Sequence, residues 1–187
     1  MPSIFDQLTL LRQLSFKDGD IRLMGNRVVI IHANFFYDYC MQINDSPEKV
    51  SELYSSAKSS FKVGIAESIG KNYGFSFNDF FNWMTKIAIL AGWGNIKWEG
   101  LEEGDGIGKI SVENSPIAEH LKGKVKSPVD HLIRGFIAGG ASASLQKDID
   151  ALEEECVATG APHCSFTFRP AGQFKISYET KRQLGLK

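Results

Sequence analysis

Strand-like segments in this sequence arrive as adjacent pairs, and that pairing limits the fold more than any other feature. "IRLMG" and "RVVIIH" lie either side of Gly25-Asn26, and "NIKWEGL" and "GKISVEN" are joined by "EEGDGI". Two further strand patterns cover about 149–158 and 163–169. Strands separated by a short turn fold back as antiparallel hairpins, whereas parallel neighbours need a long crossover. Helical patterns fill the intervals. Residues 2–14 read as a short amphipathic helix. In "ANFFYDYCMQI", Phe36, Tyr39, Cys40 and Ile43 fall at i, i+3, i+4 and i+7, which places Cys40 on a buried stripe. Ser46, Pro47 and Glu48 open a long helix that ends near Gly70 to Gly74. Asn78 caps another helix, followed at helical spacing by Phe80, Phe81, Met84, Ile87, Ala88 and Ala91, with Gly92 and Gly94 ending it. A short helical piece follows Pro116, and a further helix opens at Ser127-Pro128. The sum is an α+β domain of roughly six strands and four or five helices, an antiparallel twisted sheet with helices mainly on one face.

A chain of 187 residues without repeat or linker reads as one domain, residues 1–187. Its motif-bearing core spans about 20–170, with the N-terminal helix and the tail "GQFKISYETKRQLGLK" peripheral. The formal charge is −1 and the charges are dispersed, which argues against a nucleic-acid partner. The first twenty residues hold neither an apolar signal core nor a spanning run, so a soluble cytoplasmic protein without a membrane partner is expected. Three cysteines in such a chain argue against a disulfide framework and leave metal binding, packing or reactivity.

Several nucleotide and catalytic motifs fail. "GDGIGK", Gly104 to Lys109, lacks the following Ser or Thr and does not open a helix, so it reads as a hairpin turn instead of a phosphate cradle. Lys109 stands where a dinucleotide fingerprint needs its third glycine. His32 at a strand end and His120 on a short helix read as solvated or hydrogen-bonded residues.

"EEECVATGAPHCSFTF", Glu153 to Phe168, is different. It sets Cys156 and Cys164 at the two ends of a turn, beside carboxylates, where two thiolates could fill adjacent corners of a zinc tetrahedron. In a regular strand Glu153 and Cys156 face opposite sides, and Glu154 has the parity to join the cysteine. Glu153 can join only if a bulge or the turn re-aims it. A disulfide and a buried thiol pair are the alternatives.

Together with "SPVDHLIRGFIAGGASASL", this segment resembles the 4-vinyl-reductase-type (hydrocarbon-binding) domain family, which is related in fold to nitric-oxide-signalling and trafficking-complex subunits. The matching residues are His131, Arg134-Gly135-Phe136, Gly139, Glu153, Cys156, Gly160, Cys164 and Phe166. The match is strong over 127–168 and weaker over 20–126. Where zinc-binding members carry a first cysteine, this chain has Asp130. The resemblance implies a structural Zn2+ held by Glu153, Cys156 and Cys164, with Asp130 or His131 completing the shell. Alternatively, Asp130 merely favours a helix start. It also implies a pocket for a small hydrophobic ligand, and a homodimer. Phe81, Trp83, Trp93 and Phe136 are the candidate lining, while "GGASAS" either leaves room for a ligand or permits close helix contact. Three functions compete: a sensory or carrier module, an accessory protein or enzyme of tetrapyrrole vinyl reduction, and a scaffold subunit.

Overall fold

The computed structural model of the chain describes residues 11–23, 25–66, 77–102 and 104–186. The expected helix at 2–14 falls mostly outside them, as does the expected end of the long helix near Gly70 to Gly74. The elements are β1 (Leu14–Lys17), β2 (Asp20–Leu23), β3 (Asn26–Val28), α1 (Asn34–Ile43) and α2 (Pro47–Phe61), the last running into a wider π-turn at Lys62–Ala66. Then come α3 (Phe77–Leu90), β4 (Asn95–Glu102), β5 (Ile107–Glu113), α4 (Pro116–His120), α5 (His131–Leu145), β6 (Ile149–Glu155), β7 (Cys164–Pro170) and α6 (Tyr178–Leu184).

The strands form two antiparallel sheets, β1-β2-β3 and β4-β5-β7-β6, so the α+β class and antiparallel pairing hold while the first hairpin separates from the second sheet. Leu14–Lys17 had not been expected as a strand. Its signal is Asp18-Gly19, a two-residue turn with positive φ at both positions (48° and 79°), the geometry that hairpins favour. β3 stops at Val28, short of the run to His32 that the β-branched residues suggest. Asn78 lies inside α3, which has already begun at Phe77. "EEGDGI" is the β4–β5 turn, and Gly108 just beyond it is required by packing: a Cβ there would meet the Phe168 ring at 2.3 Å.

Helix α5 packs on β6, and α2 packs on α5. Gly135 and Gly139 permit that approach, because a Cβ on Gly135 would stand 2.5 Å from the Ala57 Cβ and one on Gly139 2.4 Å from the Lys58 carbonyl oxygen. Part of the small-residue run therefore serves close helix contact. On another face of α5, Ser142 Oγ donates to the Ile149 carbonyl and accepts from its N–H. Arg134, fully buried, lays its guanidinium 3.8 Å over the Tyr54 ring and donates to the carbonyls of Ala151 and Gln183.

The tail is a correction to the sequence reading. Instead of lying at the periphery, α6 buries Thr180, Arg182 and Gln183 against the core. Gln183 reaches the exposed edge of β6, where its Oε1 accepts from the Glu153 N–H (2.9 Å) and its Nε2 donates to the Glu153 carbonyl (2.8 Å). A carboxamide has the donor and acceptor of a peptide group, so this side chain stands in for a missing neighbouring strand. Arg182 donates to Asn44 and to the Pro128 carbonyl.

Candidate ligand cavity and thiol–carboxylate site

An apolar cavity of about 980 Å³ lies between the two sheets, α3 and α5. Strand alternation builds one wall. Leu14, Leu23 and Asn26 form one cross-strand row of the first sheet and Phe16, Ile21 and Val28 the next, and all six line the cavity. Arg22 and Arg27 take the opposite parity and pair with Asp20. The facing wall comes from α5, where Ile133, Phe136, Ile137 and Gly140 line the cavity at i, i+3, i+4 and i+7.

All four candidate aromatics, Phe81, Trp83, Trp93 and Phe136, line this space. They differ in their surroundings. Phe81 is buried, edge-on to Trp98 at 4.8 Å and parallel to Phe168 at 6.4 Å, so it also belongs to the core. Trp93 stands edge-on to Phe136 at 5.3 Å, and Phe36 packs on its other side. The indole N–H of Trp93 and the hydroxyl of Tyr37 have no hydrogen-bond partner among the described residues, although both side chains line the cavity. The side chain of Phe80 lies outside the described residues. Among the described lining residues Arg27 alone carries a charged side chain. Phe36, Trp98 and the face of the first sheet were missed as cavity lining. Only the alternation of β1 to β3, once Asp18-Gly19 is read as a turn, could have signalled them.

The thiols lie on the second sheet. Register slips between Glu153 and Glu155, because Glu153 pairs with Phe166 while Glu155 pairs with Ser165. This bulge is the device needed for Glu153 and Cys156 to share a side: both are buried and Glu154 faces solvent. A short 3-10 turn, Val157–Thr159, closes on Gly160 at φ 103° and brings Cys164 back, with the Val157 N–H 3.4 Å from the Cys164 Sγ. The ligand atoms of Glu153, Cys156 and Cys164 lie within 4.8 Å of one another.

Asp130, at the head of α5, adjoins this trio. Its N–H donates to Glu153 Oε2 (2.9 Å), its Oδ1 accepts from Ser115 Oγ (2.8 Å), and its carboxyl also meets the Cys164 thiol. Burial pushes the Asp130 carboxyl up to about 6 against the pull of these two donors. Burial, then the Asp130 charge, raises Glu153 well above the carboxylate range. Between the thiols, the hydrogen bond lowers Cys156 and raises Cys164, so Cys164 keeps the proton it donates to Cys156. All three cysteines are free thiols. His131 is not brought into the trio: the charges that depress its imidazole, after burial, are those of Arg134 and Arg182.

A cavity walled by two sheets and two helices, with a thiol–carboxylate knot at the head of one helix, is the fold of ligand-cavity domains of the vinyl-4-reductase and trafficking-subunit type. Residues 109–170 match the model of the vinyl-4-reductase domain, a stretch that contains every candidate metal ligand and Phe136 but not Phe81, Trp83 or Trp93. Among solved structures, the phenol-responsive sensory domain of the transcription activator PoxR, with phenol, aligns over 100% of this chain and 98% of its own, with 20% identity and a TM-score of 0.77. A vinyl-4-reductase family protein from Methanocaldococcus jannaschii aligns over 77% of this chain and 84% of its own (20% identity, TM-score 0.51). A trafficking protein particle complex subunit 3 from Naegleria fowleri, covalently bound to palmitic acid, aligns over 77% and 95% (11% identity, TM-score 0.53). At these identities the likeness is one of fold. No curated protein sequence matches the chain. No helix among the described residues is long and apolar enough to cross a membrane.

Proposed function

We propose that this chain is a ligand-binding module of sensory or carrier type that takes a neutral hydrophobic or aromatic molecule into the cavity between its sheets. The observation that carries the reading is the cavity itself. At about 980 Å³ it stands at the upper end of small-molecule sites, and its lining is apolar with few polar handles. The indole N–H of Trp93 and the Tyr37 hydroxyl are the groups suited to orient a polar end of such a ligand. The phenol-responsive sensory domain and the palmitic-acid-bound subunit, built on the same fold, support the ligand class. Three reduced cysteines support a cytoplasmic setting.

The thiol–carboxylate knot suits a structural zinc ion. With Zn–S bonds of about 2.3 Å, neighbouring sulfurs of a tetrahedron stand about 3.8 Å apart. Donors already within 4.8 Å of one another need close by only about 1 Å. Glu153 Oε1 and Asp130 Oδ2 are buried without a hydrogen-bond partner, as oxygens awaiting a cation are. Glu153, Cys156 and Cys164 would hold the ion and Asp130 would complete its shell. Its chemistry there would be that of a cross-link between the head of α5 and the β6–β7 hairpin. A homodimer completes the proposal.

A thermal-shift screen of small aromatics, fatty acids and tetrapyrroles tests the ligand. A binder specific to the native state raises stability by about 2.7 kcal/mol at a hundredfold excess over Kd. If no hydrophobic compound of any size shifts unfolding, the reading is overturned. Metal analysis of protein purified without chelator tests the ion, and its loss in Cys164→Ser is the expected result. Metal-free protein with fully titratable thiols refutes the zinc assignment.

A further inference from the structure

We propose that a second copy of this chain closes the open side of the cavity. The proposal rests on the ligand-binding reading above and names what covers that site. Phe16, Val29 and Ile30 line the cavity, yet they are 66%, 79% and 82% exposed. On this side the wall is bare hydrocarbon facing solvent. The patch continues along the chain through Ile31 and onto α1, where Phe35 and Tyr39 stack at 6.3 Å on the outward face. An aromatic ring offers 150–250 Å² when fully covered. At these exposures the six side chains present on the order of 600 Å², which reaches the upper range of patches on monomers and approaches the ~800 Å² per partner of a stable interface.

Two features favour this chain's own copy as the occupant. Within the first sheet β1 and β3 are the edges, and β3 runs directly into Val29–Ile31, so an unpaired strand edge lies beside the bare patch. Edges of that kind pair with their like across a twofold axis, where one face meets itself. The face is also electrically neutral. Asp20, Arg22 and Arg27 are paired with one another on the other side of the sheet, so self-docking brings no like charges together. A lipid surface would instead favour a basic rim around the apolar face.

Sedimentation at micromolar concentration, with Nile red as a neutral hydrophobic probe of the cavity, tests the proposal. Wild-type protein and the control Tyr178→Asp, an exposed site on α6, are expected to be dimers that bind Nile red. Ile30→Asp, with unchanged far-ultraviolet circular dichroism, is expected to be monomeric and to bind the probe at least tenfold more weakly. Val29→Lys should behave in the same way and serves if Ile30→Asp does not fold. Monomeric wild type, or an Ile30→Asp that stays dimeric, overturns the interface. A monomeric variant that binds Nile red as tightly as wild type overturns the closure alone. A wild-type dimer that takes up no Nile red overturns the ligand-binding reading and the closure with it.

Discussion

One added methyl group at Gly139 tests how α5 is seated. In the helix interior, alanine is favoured over glycine by about 0.8–1.0 kcal/mol, so propensity alone makes Gly139→Ala stabilising. Packing opposes it. The new Cβ would stand 2.4 Å from the Lys58 carbonyl oxygen and 3.1 Å from the Lys62 nitrogen. The closest ordinary C···O approach is about 3.3 Å, so the two helix backbones must part by about 0.9 Å. Both obstacles are main chain, with no rotamer that could move aside. Overpacking of this kind costs about 1–3 kcal/mol, and a contact this short belongs in the upper part of that range. The packing term outweighs the propensity term, for a net loss of about 1–2 kcal/mol. In a chain of 150–250 residues each kcal/mol lowers Tm by about 2–4 °C, so a fall of about 2–8 °C is expected. Urea unfolding followed by circular dichroism measures the loss. Gly100→Ala, at a position with nothing within 4 Å of the added carbon, is the control and should be near neutral. A Gly139→Ala protein as stable as wild type, or more stable, would refute the argument that glycine is required by the α2–α5 contact.

Phe81→Ala should cost about 3–5 kcal/mol, because it empties a buried site between Trp98 and Phe168, whereas Trp93→Ala should lose less stability and more affinity for Nile red. Equal effects of the two substitutions on both readouts would contradict that division. Burial raises the Cys40 thiol from 9.0 to about 12, so it should resist a thiol reagent at pH 8 in the native protein and react once unfolded. The sign follows from the raised value: whatever stability Cys40 contributes is intact below pH 9 and lost as pH rises toward 12, and Cys40→Ala should flatten that limb of an unfolding titration. Gln183→Ala removes both partners of the Glu153 main chain on a buried edge and should cost about 2 kcal/mol or more, read from urea midpoints.

The second sheet was legible in the sequence because both of its hairpins carry glycine-bearing turns between alternating strands, and the observed strands start or end within a few residues of those expected. The first sheet was only half legible. Asp18-Gly19 is a strong two-residue turn signal, but the amphipathic reading of 2–14 absorbed the residues before it. Conversely, Val29 to Ile31 have β-branched side chains and yet leave the strand, which propensity cannot foresee because neighbours decide pairing. In α1 the period correctly buried Cys40 and Ile43 but placed Tyr39 on the inner stripe, where the structure turns it outward onto Phe35. At the thiol site, the parity conflict between Glu153 and Cys156 was itself the clue to the bulge. The position of His131 was not accessible from spacing, since its direction depends on how α5 meets Arg182, a residue of the distant tail. Nor was the tail's role, because a glutamine that completes a sheet edge has no local pattern.

Helix α5 commits three of its faces: glycines to α2, Arg134 and Ser142 to β6, and Ile133, Phe136, Ile137 and Gly140 to the cavity. Such a helix has little latitude for inherited variation, since a larger residue on one face shifts the seating of the other two. The first sheet is under no such obligation, because its outer face meets water and its inner face meets only the cavity. Descendants of this chain that acquire a different ligand are therefore expected to differ first at Leu14, Phe16, Ile21 and Leu23, while the α5 wall stays as it is.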